Sequence, residues 1–192
     1  MELINGKPDL ICVIADKQGM GKSTLAGHLE CEYGYSRVSI ATPLKRGMAE
    51  MFKGLLGRRA FTYFFENKDE PIPELGNVTA RQLLVGCGQG TCAAYQEAFL
   101  AVALNQARFQ IKAGVPVVVD DVRKPYEFDA FNADGAFFIR VDRPANTAEP
   151  AEIEGLISEK PAYKMLIDSE PGNHDLMYHL TADLMTKGLW NE

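Results

Sequence analysis

The chain has 192 residues, of which 46% are hydrophobic and 24% charged, and a formal net charge of −6. That length fits one domain, 1–192, at about 100 to 200 residues per domain, and the composition excludes disordered and collagen-like classes. No run approaches the roughly 18 apolar residues of a membrane span, the first seven residues lack a signal-peptide core, and the acidic balance disfavours polymeric DNA or RNA. The expectation is a cytoplasmic protein that binds neither membranes nor nucleic-acid polymers. Cys12, Cys31, Cys87 and Cys92 form no Cys-x-x-Cys pair and read as reduced thiols.

Taken in chain order, Asp9 to Ile14 (DLICVI) is an almost wholly apolar run, the pattern of a strand buried on both faces. Leu25, Ala26 and Leu29 then recur at helical spacing, which predicts a helix from Lys22 to Tyr33 stopped by Gly34. Arg37 to Ala41 is a second strand, and Pro43 opens a helix from about Leu44 to Leu56. From Arg58 to Val78 the pattern turns irregular, aromatic and then proline-rich, which suggests a mobile, lid-like insertion. Thr79 is a natural N-cap for a helix over Ala80 to Gly86, and a long helix is expected from Thr91 to Ala113. Pro116 to Asp120 and Ala136 to Val141 read as strands, with a short helix at Tyr126 to Asn132 between them. Leu176 to Met185 supplies a last strand or helix. This alternation indicates an α/β fold in which a central parallel sheet carries helices on its faces, with ligands at the carboxyl ends of the strands.

The first strand runs into Asp16-Lys17-Gln18-Gly19-Met20-Gly21-Lys22-Ser23-Thr24. A phosphate-binding loop needs convergent backbone N–H groups, a lysine for the β and γ phosphates, a hydroxyl for Mg²⁺ and a helix N-terminus beneath. Gly19, Met20, Gly21, Lys22, Ser23 and Thr24 meet those needs between strand and helix. The first glycine of the consensus is replaced by Asp16, which can make the turn with a positive φ and should aim its carboxylate away from the phosphates, towards Lys17. The competing reading is a turn that holds no nucleotide.

The run VVVDDVR, Val117 to Arg123, closes a buried strand with two aspartates and an arginine. Asp121 there could hold Mg²⁺ or orient the attacking group, and Arg123 could clamp a phosphate; equally, Asp121 could cap the next helix and pair with Arg123 at the surface. Lys45, Arg46 and Arg81 lie near helix starts, where basic side chains suit an acceptor's phosphate, although a solvated helix face is the commoner role for Lys45 and Arg46. Arg140 and Arg143 flank the end of FFIRVDRP, Arg143 being better placed because it lies beyond the strand. His28, His174 and His179 show no metal-binding spacing.

Together, GMGKSTLAGHL, ATPLKRGMAEMF, VTARQLLVGCGQG, VVVDDVRKPYEFDAF and FFIRVDRP resemble, in order and spacing, the bacteriophage deoxynucleoside monophosphate kinases. The resemblance implies a three-layer P-loop NTPase fold with lid-like insertions at 58–78 or 144–165. It also implies ATP and Mg²⁺ as cofactors, a deoxynucleoside monophosphate as acceptor, and a homodimer in the host cytoplasm. On that pattern Lys22 and Ser23 bind ATP and Mg²⁺, with Asp121 as a second metal or acceptor contact. Lys22, Asp121, Arg123 and Arg143 form the catalytic edge, Lys45, Arg81 and Arg123 meet the acceptor, and Ile157 to Lys164 matches a post-lid stretch. The alternatives are another small-molecule kinase of the dephospho-coenzyme A type and a non-catalytic nucleotide-binding module.

Overall fold

The computed structural model describes residues 3–4, 6–17, 19–143, 162–167 and 173–188. Most of the expected lid at 144–165, and the first five residues of the Ile157 to Lys164 stretch, lie outside them. The chain divides into two compact units, Met1–Ser39 with Leu104–Glu192, and Ile40–Ala103.

The first unit is built on a five-stranded sheet. Its strands are β3 (Leu10–Ile14), β4 (Ser36–Val38), β7 (Val117–Val119), β8 (Phe137–Asp142) and β9 (Tyr163–Leu166), in the order β4-β7-β3-β8-β9 with every pairing parallel. All residues of β3 and β7 are buried, as an apolar run covered on both faces requires. A short antiparallel pair, β1 (Leu3–Ile4) with β2 (Lys7–Pro8), precedes the sheet. Alternate strand residues divide the core between the two faces. Ile11, Val13, Val118, Ile139, Val141 and Met165 share a cluster with Leu25, Ala26 and Leu29 of α1 (Lys22–Tyr33) and with Met177 and Leu184 of the C-terminal helix at Asp175–Lys187. Elsewhere the ring of Phe128 in α6 (Pro125–Ala133) stacks on Phe138 of β8, with centroids 3.8 Å apart. Helix α1 keeps its expected bounds and ends at Gly34 with φ 74°, a left-handed stop that glycine adopts without steric cost. The segment expected as a last strand or helix is the C-terminal helix, called α7 below. Strand β9 carries no strong alternation in sequence and escaped notice.

The second unit corrects two expectations. The run from Arg58 to Val78 contains helix α3 (Arg59–Phe65), the antiparallel pair β5 (Pro71–Ile72) and β6 (Val78–Thr79), and a 3₁₀ turn at Pro73–Leu75. Ala60 and Phe64, four residues apart, are fully buried with Met48, Ala49 and Leu56 of α2 (Thr42–Leu56) and with Ile72 and Ala80. The segment that looked irregular is therefore helical, with Ala60 and Phe64 on its buried face and Phe61 left exposed. The helix at Thr79 continues past Gly86 as α4 (Ala80–Ala94), while the expected long helix begins only at α5 (Ala98–Lys112). Thr79 and Gln82 form a reciprocal capping box that starts α4. A Cβ at Gly88 would stand 3.2 Å from Leu44 Cδ2 of α2, so this glycine permits α4 to pack closely on α2 rather than ending the helix. At Tyr95 the backbone turns extended, with φ −149° and ψ 105°, and separates the two helices. Among the described residues no helix is long and apolar enough to cross a membrane.

Phe64→Ala would empty the centre of the second unit's core, and its expected cost is about 3–5 kcal/mol. Guanidinium unfolding monitored by far-ultraviolet circular dichroism checks this; a loss under about 1 kcal/mol would contradict the central place given to Phe64.

Candidate functional site

Strand β3 delivers the chain to the loop at its carboxyl end, and the loop feeds directly into α1. Gly19 and Gly21 both have positive φ, 79° and 99°, which is the conformational requirement that places glycine there. Gly21 is the N-cap of α1 and the first turn contains neither a side-chain cap nor an acidic residue. The helix therefore presents backbone N–H groups and the positive end of its dipole to an anion. A Cβ at Gly21 would lie 2.8 Å from Met177 Cε of α7 and 3.9 Å from Arg143 Nη2. The φ of 99° is what calls for glycine there, since the Met177 methyl is the free end of a flexible side chain, and Arg143, which is almost fully buried, has its guanidinium beside the loop.

The missing first glycine leaves no backbone strain. Among described residues other than glycine only Asn77 has a positive φ, so Asp16 makes its turn with an ordinary backbone, contrary to the sequence expectation. Its carboxylate accepts a hydrogen bond from Arg140 Nη1 of β8, which stands opposite Ile14, the last residue of β3. Arg140 is buried and Asp16 is half-buried, so the negative charge at the entry to the loop has a nearby compensating charge.

Ser23 Oγ donates to Asp120 Oδ2 at 2.7 Å. This partner is the first aspartate of the pair, not Asp121, whose Oδ2 instead accepts from Ser39 Oγ at 2.7 Å. Side-chain parity gives the reason. Val118 belongs to the core cluster containing α1, and Asp120, two residues on, leaves the backbone on that same side. Asp120 is itself 5% exposed and also accepts from Arg37 of β4: Nε reaches Oδ1 at 3.1 Å, and Nη2 reaches Oδ2 more closely. Arg37 pairs with Val118 across the sheet, so both side chains project from one face. Asp120, Arg37 and Ser39 escaped attention in the sequence. The usable signals were strand parity for Asp120 and, for Arg37, a lone charge within a strand.

A hydroxyl and a carboxylate oxygen brought together at a helix N-terminus are hard oxygen donors suited to Mg²⁺ that arrives with a phosphate. The site's chemistry therefore fits a magnesium–nucleotide pair. Among the described residues no cluster of three or more His, Cys, Asp or Glu offers a separate metal site.

Arg123 follows this centre with its own side chain exposed, and its backbone N–H donates to Glu127 Oε2 at 2.8 Å; the N–H of Lys124 donates to the same oxygen at 3.0 Å. One buried carboxylate thus shapes the turn that carries Arg123. Burial raises the Glu127 pKa, opposed by those two backbone N–H groups. In the other unit, Lys45 Nζ lies 5.9 Å from the centre of the Phe65 ring, and Arg81 forms a two-pronged pair with Asp69. Two of the three expected acceptor residues thus already have partners within their own unit.

No family model matches the sequence. The chain is 26% identical over 151 residues to a protein of Acanthamoeba polyphaga mimivirus provisionally named deoxynucleotide monophosphate kinase, a match that covers 71% of this chain and 77% of that one. Its structure is similar to that of dephospho-CoA kinase from Campylobacter jejuni, with a TM-score of 0.54 at 12% identity, covering 95% of this chain and 99% of the other. The shared architecture is a three-layer α/β fold in which a parallel sheet is flanked by helices.

The raised Glu127 pKa has a defined sign. The native state holds this proton more tightly than the unfolded chain does, so the associated stability is complete below about pH 4.5 and is lost as pH rises through the native value. Glu127→Gln can keep both backbone hydrogen bonds through its amide oxygen and should flatten that decline. Urea midpoints for both proteins between about pH 4 and 8 check this; parallel pH profiles would remove Glu127 as the cause.

Proposed function

We propose that the protein is an ATP-dependent phosphotransferase that moves the γ-phosphoryl group of ATP to a deoxynucleoside monophosphate, giving the diphosphate and ADP. The observation that carries this reading is the hydrogen bond from Ser23 to Asp120 at the N-terminus of α1, beside two positive-φ glycines and Lys22. Such transfer needs little covalent help from a protein and depends chiefly on position and on positive charge around the phosphoryl oxygens.

In this reading Gly19, Met20, Gly21 and Thr24 form the loop's backbone and rim, and Lys22 contacts the β and γ phosphates. Ser23 and Asp120 would hold Mg²⁺, whose charge would offset that of the nucleotide's phosphates. Asp121, braced by Ser39, sits one residue beyond and orients the acceptor. Arg143 is the arginine best supported for the transferring group because its guanidinium lies beside Gly21, while Arg123 serves at the acceptor's phosphate. Lys45 and Arg81 are assigned to the acceptor on the family resemblance. Arg81 would then have to exchange Asp69 for substrate. The choice of a deoxynucleotide acceptor rests on that resemblance and on the provisional name of the mimivirus relative.

ADP release from MgATP, measured with dAMP, dGMP, dCMP, dTMP, dUMP, GMP and dephospho-coenzyme A, tests the assignment. At least one deoxynucleotide should support turnover, and Lys22→Ala should lower it by about 100-fold or more. Turnover with dephospho-coenzyme A alone would replace the acceptor; ATP binding without acceptor-dependent ADP release would make the protein a binding module.

A further inference from the structure

Asp120 is engaged more fully than a metal-binding carboxylate needs to be. Ser23 Oγ and Arg37 Nη2 both donate to its Oδ2, while Arg37 Nε donates to Oδ1. The carboxylate is 5% exposed and the Arg37 side chain 35% exposed, so the pair sits at the boundary between core and solvent. An arginine fork fixes a carboxylate's rotamer through two parallel contacts, which a lysine cannot do. It also sets a permanent positive charge against the very oxygens offered to a cation.

We infer that Arg37 is a positioning residue that holds Asp120 towards Ser23 and keeps the nucleotide-free site from taking a divalent cation, so that the metal enters with the nucleotide. This rests on the proposed nucleotide site and extends it to a residue outside the phosphate loop. The physical basis is simple charge balance. Without nucleotide, the dyad supplies one carboxylate charge, and Arg37 cancels it at contact distance. A triphosphate brings the additional negative charge and oxygen ligands that favour Mg²⁺, which binds commonly through one or two carboxylates together with substrate phosphates. The bidentate contact meanwhile prevents Asp120 from rotating away, so the carboxylate keeps its place without the metal. Strand register supports the same role: Arg37 stands opposite Val118, two residues before Asp120, and reaches it along the sheet without a loop between them.

The test uses the full chain without nucleotide and Mn²⁺ as the probe, with free Mn²⁺ read by electron paramagnetic resonance. Wild type should bind Mn²⁺ only weakly, and Arg37→Gln should bind it at least about tenfold more tightly, because one opposing charge has been removed. Arg37→Lys, which keeps the charge and loses the fork, should stay near wild type. A folded Arg37→Gln protein with unchanged Mn²⁺ affinity, tight binding by wild type, or an Arg37→Lys protein that tracks Arg37→Gln would each overturn the inference. Thermal melts establish folding, and Arg37→Met, which retains the aliphatic stem, replaces the glutamine variant if that one does not fold. Titration of wild type with ATP in the presence and absence of Mg²⁺ separates the two levels. If no nucleotide binds, the proposed function fails; the Mn²⁺ comparison still decides the role of Arg37.

Discussion

The parallel register of β3 against β7 is the constraint on which the site depends. Cys12 pairs with Val119, the last residue of β7, while β3 runs on to Ile14, so the two aspartates that follow β7 emerge beside the final residues of β3, just before its loop begins. One continuation becomes the glycine loop and α1; the other becomes Asp120 and Asp121. Both strands are buried throughout, and a one-residue slip would move every side chain to the opposite face. That penalty fixes which aspartate meets Ser23. The chemistry at the strand ends is thus set by apolar residues that never touch it.

Charge around the loop is managed locally, against the overall balance of the molecule. A protein with a net charge of −6 would not attract a polyanion by its long-range field, yet Arg37 within β4, Arg140 within β8 and Arg143 just beyond β8 gather around the loop and Asp120. Arg37 contacts Asp120, Arg140 contacts Asp16, and Arg143 lies beside Gly21. Two of these arginines are buried, where water screens their charge less than at the surface. Asp16 illustrates the consequence. A carboxylate in the position of a loop glycine would oppose phosphate binding if it stood alone, but its contact with Arg140 lets the substitution persist without altering φ. The loop can therefore depart from its usual sequence while keeping the backbone conformation at Gly19 and Gly21.

Sequence patterns disclosed most of the first unit because its elements are governed by local rules. The apolar run at Asp9 to Ile14, the helical spacing of Leu25 and Leu29, and the stop at Gly34 needed no tertiary information. The loop itself was legible for the same reason: Gly21, Lys22 and Ser23 are adjacent in the chain. Asp120 was harder, since two neighbouring aspartates are equivalent until strand parity is applied. Arg37 is separated from Asp120 by 83 positions, and no local rule links them. In the second unit the reading failed where tertiary packing overrides propensity. In the sequence Gly86 reads as the end of a helix, but α4 continues through it and through Gly88 and Gly90. The aromatic run at Phe61 to Phe65 looked irregular because only Ala60 and Phe64 form its fully buried stripe.

Position in a phosphate loop must be set from more than one direction, since catalytic geometry is sensitive to displacements of about an ångström. Here α7 provides a second boundary. Met177 occupies the space that a side chain at Gly21 would need, while Met177, Leu184 and Met185 share the core cluster with Leu25 and Leu29 of α1. His28 of α1 also stacks on Tyr178 of α7, with ring centroids 4.3 Å apart. The loop's helix is consequently packed against the sheet and against a helix drawn from the far end of the chain. Gly21 lies where these constraints meet: its φ shapes the loop, and its lack of a side chain admits Met177. A side chain there would strain the backbone at φ 99° and displace the Met177 methyl, so the residue that shapes the loop also lies against the C-terminal helix.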